Sequence, residues 1–353
     1  MELIDLSRFL TVNGKSVLPF EKLRHMEPVL MTNDLQIVDE PQNNGYANSL
    51  ALKGITLVPI RRQSFTYHPD RTDFPKRVLF EMTTVCNSKC KMCPQMNLKR
   101  KIIPMDAEKY KNVVDELNNF GVDGLWLYHF GESLTHPHFK EIVDYVGTKS
   151  NLGYIWLSSN GILMNKDIID FLMNSSLSYL NFSLQSIDTE KYRKIAPKTP
   201  AEVIMSNLRT LILKKQNLLG NKPFFRLQII EQKDTLDEID IYLNKFYDKC
   251  DIISVNMLEH TNLEFNKSSK NLREHKKRAR CSRLERSDCF INSDGSVAIC
   301  DNAYNHELDI GNIWKNNVYD IWNGRERHRI LKMNEDGSLW EVPLCSDCMD
   351  YDL

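Results

Sequence analysis

Between residues 77 and 258 the apolar positions follow two alternating periods. Short, almost continuous apolar runs, RVLFEMT, GLWLYHF, GYIWLSS, YLNFSLQS, FFRLQIIEQ and IISVNML, read as buried strands. Between them lie segments whose apolar residues recur every three or four positions: DAEKYKNVVDELNNFG, HFKEIVDYVGTKS, NKDIIDFLMNSS, AEVIMSNLRTLILKK and LDEIDIYLNKFYDK. These read as amphipathic helices, the first closed by a glycine. Strands alternating with helices imply an α/β fold with a parallel sheet covered by helices, whose ligands bind beyond the carboxyl ends of the strands.

The pattern fades at both ends. Residues 1–75 hold only short strand-like runs, KSVLPF, LQIVD and ITLVPI, separated by polar punctuation such as PQNNGYANS. From residue 264 a charged stretch, EFNKSSKNLREHKKRAR, leads into a cysteine-rich tail. The expected organisation is therefore an accessory segment over 1–75, an α/β domain over 76–263 and a tail domain over 264–353. No repeat of fixed period interrupts it.

Composition removes several classes of function. The 353 residues are 42% apolar and 26% charged, with a net charge of -1, so nothing argues for a nucleic-acid or anionic-membrane partner. The basic run KKRAR reads as a solvated face. MELIDLSRFLTVNG lacks the pattern of an export signal, and no window reaches eighteen consecutive apolar residues, which points to the cytoplasm. Nine cysteines in that compartment argue against a disulfide framework and for metal ligation or reactive thiols.

Four polar clusters fall at strand ends and so on one rim: CNSKCKMC after the first strand, GES after the second, SSNG after the third and SLQS after the fourth. The first spaces Cys86, Cys90 and Cys93 as C-x3-C-x2-C. Thiolates are soft ligands suited to zinc or iron–sulfur clusters, and four of them close a structural zinc site. Three leave a position open to an exogenous ligand such as an amino and carboxylate pair. A zinc site completed by a remote histidine, His129 or His136, is the competing reading. Together with His138, these histidines read as loop residues satisfied by their neighbours.

On these motifs the chain resembles the radical S-adenosylmethionine (radical SAM) superfamily, which binds a 4Fe-4S cluster through a C-x3-C-x-Φ-C loop on a partial (β/α)6 TIM-like barrel. The resemblance implies that Cys86, Cys90 and Cys93 hold the cluster and that S-adenosylmethionine takes the open iron. Met92 fills the apolar place near the adenine. FGES is similar to the family's G-G-E motif and assigns Gly131 and Glu132 to the methionine amino group, with Phe130 in place of the first glycine. SSNG nominates Ser158 and Asn160, and SLQS nominates Ser183 and Gln185. Ala196 stands where relatives often have an arginine for the methionine carboxylate, so Arg193 or Lys194 is the expected substitute.

The tail is similar to the SPASM and twitch extensions of such enzymes. It carries a D-G-x-V-x-x-C hairpin with Gly295 suited to positive φ, a G-N-I turn and the helix start IWN. The resemblance implies one auxiliary 4Fe-4S cluster on Cys281, Cys300, Cys345 and Cys348, with Cys289 as the alternative to Cys281. A zinc ribbon on the same residues is the other possibility. Cys289 and Cys250 fall outside both sets and become candidate hydrogen-atom donors.

The implied activity is reductive cleavage of S-adenosylmethionine to a 5′-deoxyadenosyl radical, followed by hydrogen abstraction from a substrate carbon. The expected outcome is oxidation or epimerisation of a small polar metabolite of sugar or aminocyclitol type. The electron donor would be a flavodoxin or ferredoxin. Peptide modification is the alternative substrate class, and a non-catalytic metal-binding protein is a third reading.

Overall fold

The computed structural model describes residues 73–218, 220–257, 280–346 and 348, together with the strand segments β1 (Leu10–Val12), β2 (Lys15–Val17), β3 (Val29–Thr32) and β4 (Thr56–Pro59). Two antiparallel pairs, β1 with β2 and β3 with β4, form small sheets of their own. The runs KSVLPF and ITLVPI contain β2 and β4, while LQIVD and most of the charged stretch before residue 280 lie outside the described residues.

The six expected strands form as β5 (Arg77–Phe80), β6 (Gly124–Trp126), β7 (Tyr154–Ser159), β8 (Tyr179–Leu184), β9 (Phe224–Glu231) and β10 (Ile252–Met257). Each is parallel to the next. The crossovers carry α1 (Ala107–Phe120), α2 (Phe139–Gly147), α3 (Lys166–Met173), α4 (Thr189–Ile195), α5 (Ala201–Lys215) and α6 (Ile239–Phe246). Polar caps set several starts: Asp106 accepts from the Lys109 amide at 2.8 Å and Asn165 from the Ile168 amide at 3.0 Å.

Alternation along each strand splits the side chains between two faces. Val78, Phe80, Leu125, Leu157, Leu180 and Phe182 are fully buried. Phe80 stacks on Tyr110 of α1 at 3.8 Å, which identifies the helix-covered face. Burying such a side chain contributes roughly 1.5–3 kcal/mol. The opposite face is partly polar: Asn181 donates to Ser158 Oγ at 2.9 Å and to Gln228 Oε1 at 3.2 Å, and Arg226 Nε donates to Ser254 Oγ at 2.9 Å. Arg226 also lies 5.9 Å from the Trp156 ring, itself stacked on Tyr179.

The sheet does not end at β5. β11 (Asp288–Ile291) pairs parallel to it, with Asp288 opposite Arg77 and Ile291 opposite Phe80. β12 (Ser296–Ala298) and β13 (Asp309–Asn312) follow antiparallel, giving one nine-stranded sheet in the order β10-β9-β8-β7-β6-β5-β11-β12-β13. The tail, read from sequence as a separate unit, thus extends the barrel wall. Gly295 turns the hairpin at φ +86°, where a Cβ would lie 2.1 Å from the Trp314 ring.

Beyond the hairpin come α7 (Val318–Trp322), α8 (Arg325–Asp336) and α9 (Pro343–Ser346). Glu116 of α1 accepts the Val318 and Tyr319 amides at 2.9 and 2.8 Å, tying α7 to the barrel. Among the described residues no helix is long and apolar enough to cross a membrane.

Candidate cluster and cofactor site

The chain leaves β5 through Glu81, Thr83 and Thr84 and enters the cysteine loop. Thr84 fixes that exit by hydrogen bonds to two later points of the chain: its Oγ1 accepts from the Ile103 amide beyond the loop at 2.8 Å, and its carbonyl accepts from Gln95 Nε2 within the loop at 2.9 Å. Cys86, Cys90 and Cys93 are free and half-buried, and each lies within electrostatic reach of another. Burial pushes the Cys86 thiol up to about 11 and the Cys93 thiol to about 12, with the neighbouring cysteine charge adding to both. The Cys90 thiol is raised for the same first reason. Iron would therefore displace protons from all three on binding.

The loop after β6 runs against this exit residue by residue. The Phe130 amide donates to Glu81 Oε1 at 3.1 Å and the Glu132 amide to the Val85 carbonyl at 2.9 Å. Between them Gly131 presses on the backbone just beyond β5, where a Cβ would fall 1.9 Å from the Thr83 oxygen, so only glycine fits. The Glu132 carboxylate is 3% exposed and accepts from the Asn160 amide at 2.8 Å and the Leu134 amide at 3.3 Å. Burial raises its pKa to about 7 against the opposing pull of those donors and the Ser159 hydroxyl. Asn160 Nδ2 donates to Asn87 Oδ1 at 2.8 Å and lies 3.9 Å from Cys86 Sγ. Glu132, Asn160 and the cysteine loop are therefore brought together.

Ser158 and Ser183 are half-buried on the polar inner face, with Asn181 and Gln185 buried beside them. Gln185 Nε2 donates to Ser183 Oγ at 3.1 Å, while Gln185 Oε1 and Asn181 Oδ1 are buried acceptors with no hydrogen-bond partner. Met92 is buried within the cysteine loop.

Other sequence-nominated residues lie elsewhere. Arg193 pairs with Glu190 and Glu202 on an exposed face of α4, and Lys194 is exposed beside it, so neither reaches the rim as a carboxylate ligand. Cys250 is buried at the amino end of β10, its thiol donating to the Phe246 carbonyl at 3.3 Å. That is the end opposite the rim. Cys289 is fully buried near the amino end of β11; its neighbour Phe290 approaches His129, while Cys289 feels the charges of Arg327 and Glu116 on the helical layer. Alternation turns it away from the inner face. In this structure both thiols are packed: Cys250 against the end of α6, and Cys289 on the helix-covered face.

The histidines are engaged by the fold. His136 Nε2 donates to the Met105 carbonyl at 2.8 Å and its Nδ1 accepts from the His138 amide at 3.1 Å. His138 pairs with Glu141, and His129 Nδ1 meets Asn292 Oδ1 at 3.3 Å.

In the tail, Asn334 of α8 clamps Cys281, accepting its amide at 2.6 Å and donating to its carbonyl at 3.1 Å. Cys281 lies within electrostatic reach of Cys300, whose thiol burial raises well above its ordinary value. After α8 ends at Gly337, a short turn leads to Cys345 in α9, and the Cys348 amide donates to the Cys345 carbonyl at 3.3 Å.

Sequence reasoning missed the junction between these halves. Arg100 meets Glu81 through two bonds of 2.6 and 2.8 Å, both side chains wholly buried, and its Nε donates to the Tyr304 carbonyl at 3.0 Å. Glu81 also accepts the Ser293 amide of the hairpin at 2.9 Å. The signal available was a glutamate inside an otherwise apolar strand run.

Among the described residues no three His, Cys, Asp or Glu side chains converge closely enough to share a single metal ion. A cluster does not require that, since each iron takes its own thiolate. Buried thiols within mutual reach, with unpartnered amide oxygens on the adjoining face, fit a thiolate-held cluster and a polar cofactor.

The comparisons agree. The sequence pattern of the radical SAM superfamily matches residues 80–220, and that of the SPASM iron-sulfur cluster-binding domain matches 281–349. The chain belongs to the radical SAM superfamily and carries a C-terminal SPASM domain. Its cofactors are S-adenosylmethionine and two iron–sulfur clusters.

A GTP 3′,8-cyclase of Chlorobaculum tepidum is 24% identical over 135 residues, 38% of this chain and 40% of that one. The chain spans less than half the length of the curated relatives it matches. Among solved structures, BtrN in complex with AdoMet and 2-DOIA aligns with TM-score 0.53 and 16% identity, covering 79% of this chain and 99% of that one. SuiB of Streptococcus suis bound to its precursor peptide SuiA aligns with TM-score 0.58 and 13% identity, covering 76% and 71%. These likenesses establish the fold, a partial barrel with an auxiliary domain.

Proposed function

We propose that this radical SAM enzyme oxidises a small polar metabolite of sugar or aminocyclitol type at a carbon held inside the barrel. When bound, S-adenosylmethionine and its cluster would supply reductive cleavage and hydrogen abstraction, and the auxiliary cluster would supply an electron acceptor. The chain's own part is to hold and orient. Cys86, Cys90 and Cys93 hold one cluster, and Glu132, Asn160, Ser183 and Gln185 hold the cofactor's polar groups. Cys281, Cys300, Cys345 and Cys348 hold the second cluster.

The observation that carries the substrate reading is the polar inner face, where Ser158, Asn181 and Gln228 are hydrogen-bonded across three strands and Asn181 Oδ1 has no partner. Such an acceptor favours a ligand rich in hydroxyl or ammonium donors. Oxidation is preferred to epimerisation because Cys250 lies at the end of the sheet opposite the rim and Cys289 is turned away from that face. A chain of nine cysteines whose spacings suit metal ligation supports a cytoplasmic setting, with a flavodoxin or ferredoxin as electron donor. The likeness to peptide-bound SuiB supports the second reading, modification of a peptide.

The test is anaerobic incubation of the cluster-loaded protein with dithionite and S-adenosylmethionine, with deuterated polyols and aminocyclitols in one series and peptides in another. Deuterium appearing in 5′-deoxyadenosine with a polyol supports the proposal. Transfer from a peptide alone replaces it with the second reading, and no 5′-deoxyadenosine from intact clusters overturns both. Asn181→Leu should raise KM for the polyol about tenfold, the loss of a buried hydrogen bond, while substrate-free cleavage continues.

A further inference from the structure

Ser88 stands between the first two cysteines of the loop and is 5% exposed. Its hydroxyl lies 3.2 Å from Cys90 Sγ and 3.0 Å from Thr199 Oγ1. Thr199, also buried, belongs to the turn between α4 and α5. The end of α4 braces the loop at a second point, where the Lys91 amide donates to the Ile195 carbonyl at 2.9 Å.

The two hydroxyls leave the direction of their bonds open until iron is considered. A thiolate that ligates iron accepts hydrogen bonds and donates none. With Cys90 in that state, Ser88 must donate to Cys90 Sγ, and the freed lone pair of Ser88 takes the Thr199 proton. The chain of bonds then runs one way, from Thr199 through Ser88 to the sulfur, and each bond polarises the next.

We propose that this two-hydroxyl relay sets the reduction potential of the cluster held by Cys86, Cys90 and Cys93. A hydrogen bond to a ligating sulfur withdraws charge and stabilises the reduced, more negative state of a cluster. Backbone amides also serve these thiols, the Ser88 amide for Cys86 and the Gln95 amide for Cys93. The relay differs in being built from side chains, so sequence change at positions 88 and 199 tunes the potential without altering the loop's backbone. Ser88 and Thr199 are positioning residues, and the inference holds for any substrate.

The experiment is a potentiometric titration followed by electron paramagnetic resonance on the anaerobically reconstituted full chain. The signal that changes on adding S-adenosylmethionine reports this cluster, and the unresponsive signal reports the auxiliary one. Ser88→Ala should make the first cluster about three- to tenfold harder to reduce, up to about 59 mV more negative for a one-electron couple. Ser88→Thr should restore the wild-type value. Thr199→Val should shift it the same way by less, with iron content and the auxiliary potential unchanged. An unaltered potential in Ser88→Ala at full iron content overturns the proposal, as does an equal shift of both clusters. If Ser88→Ala fails to hold iron, Thr199→Val decides alone: a selective shift supports the relay and none overturns it.

Discussion

A carboxyl group with almost no water around it is what Glu132 presents to the rim. Burial raises its pKa to about 7, so acidification through neutrality turns it into a neutral acid. An ammonium group needs the carboxylate, so if Glu132 holds the methionine amino group, cofactor affinity must fall as pH drops. One pH unit below that midpoint the loss approaches about tenfold. Calorimetric binding of S-adenosylmethionine to the cluster-loaded protein between pH 8 and pH 6 checks this, and Glu132→Gln should bind weakly with no such slope. Glu81 gives a different residue-scale expectation. Glu81→Gln strands the wholly buried Arg100 charge, and denaturant titration of the cluster-free chain should show a loss of about 3–5 kcal/mol. Replacing both residues by leucine should cost far less, because no charge is then left without its partner.

The loop after β6 shows what an element contributes beyond its side chains. Its position depends on backbone meeting backbone at Gly131, so Gly131→Ala has no flexible neighbour to displace. A loss of about 1–3 kcal/mol, with weaker S-adenosylmethionine binding, is expected from thermal melts and calorimetry. Elements of this kind were legible wherever one period dominated. All six parallel strands and the long helices followed from apolar spacing, and the polar clusters followed from their places at strand ends. The short helix Thr189–Ile195 was passed over because KYRKIAP offers too few apolar positions to show a period. The pairing of Arg193 with Glu190 and Glu202 is not legible in sequence, because a positive charge near a rim reads the same whether it faces a ligand or two carboxylates on the surface. Cys289 was illegible for another reason: which face a strand residue takes depends on register, and its partner strand lies in a distant part of the sequence. The inner-face residues Asn181, Arg226 and Gln228 were readable in principle as polar interruptions two apart in apolar strands.

At the scale of the whole molecule, the auxiliary domain is a wall of the barrel as well as a cluster carrier. Removing residues 281–353 would bare the outer edge of β5 and leave its backbone groups without a ladder. Such a truncated chain should aggregate on size-exclusion chromatography. Cys345→Ala with Cys348→Ala keeps β11 in place, so that full-length variant should elute as the parent does while lacking one cluster's iron.

The pairing of β5 with β11 also carries a cost in time. Arg77 and Asp288 are about 210 residues apart in the chain, and synthesis at about 5–20 residues per second separates their emergence from the ribosome by on the order of ten to forty seconds. Throughout that interval β5 is complete, apolar and open on one side, beside a cysteine loop ready to take iron. Expression at low temperature or with added chaperones should therefore raise the yield of folded protein more than added iron does.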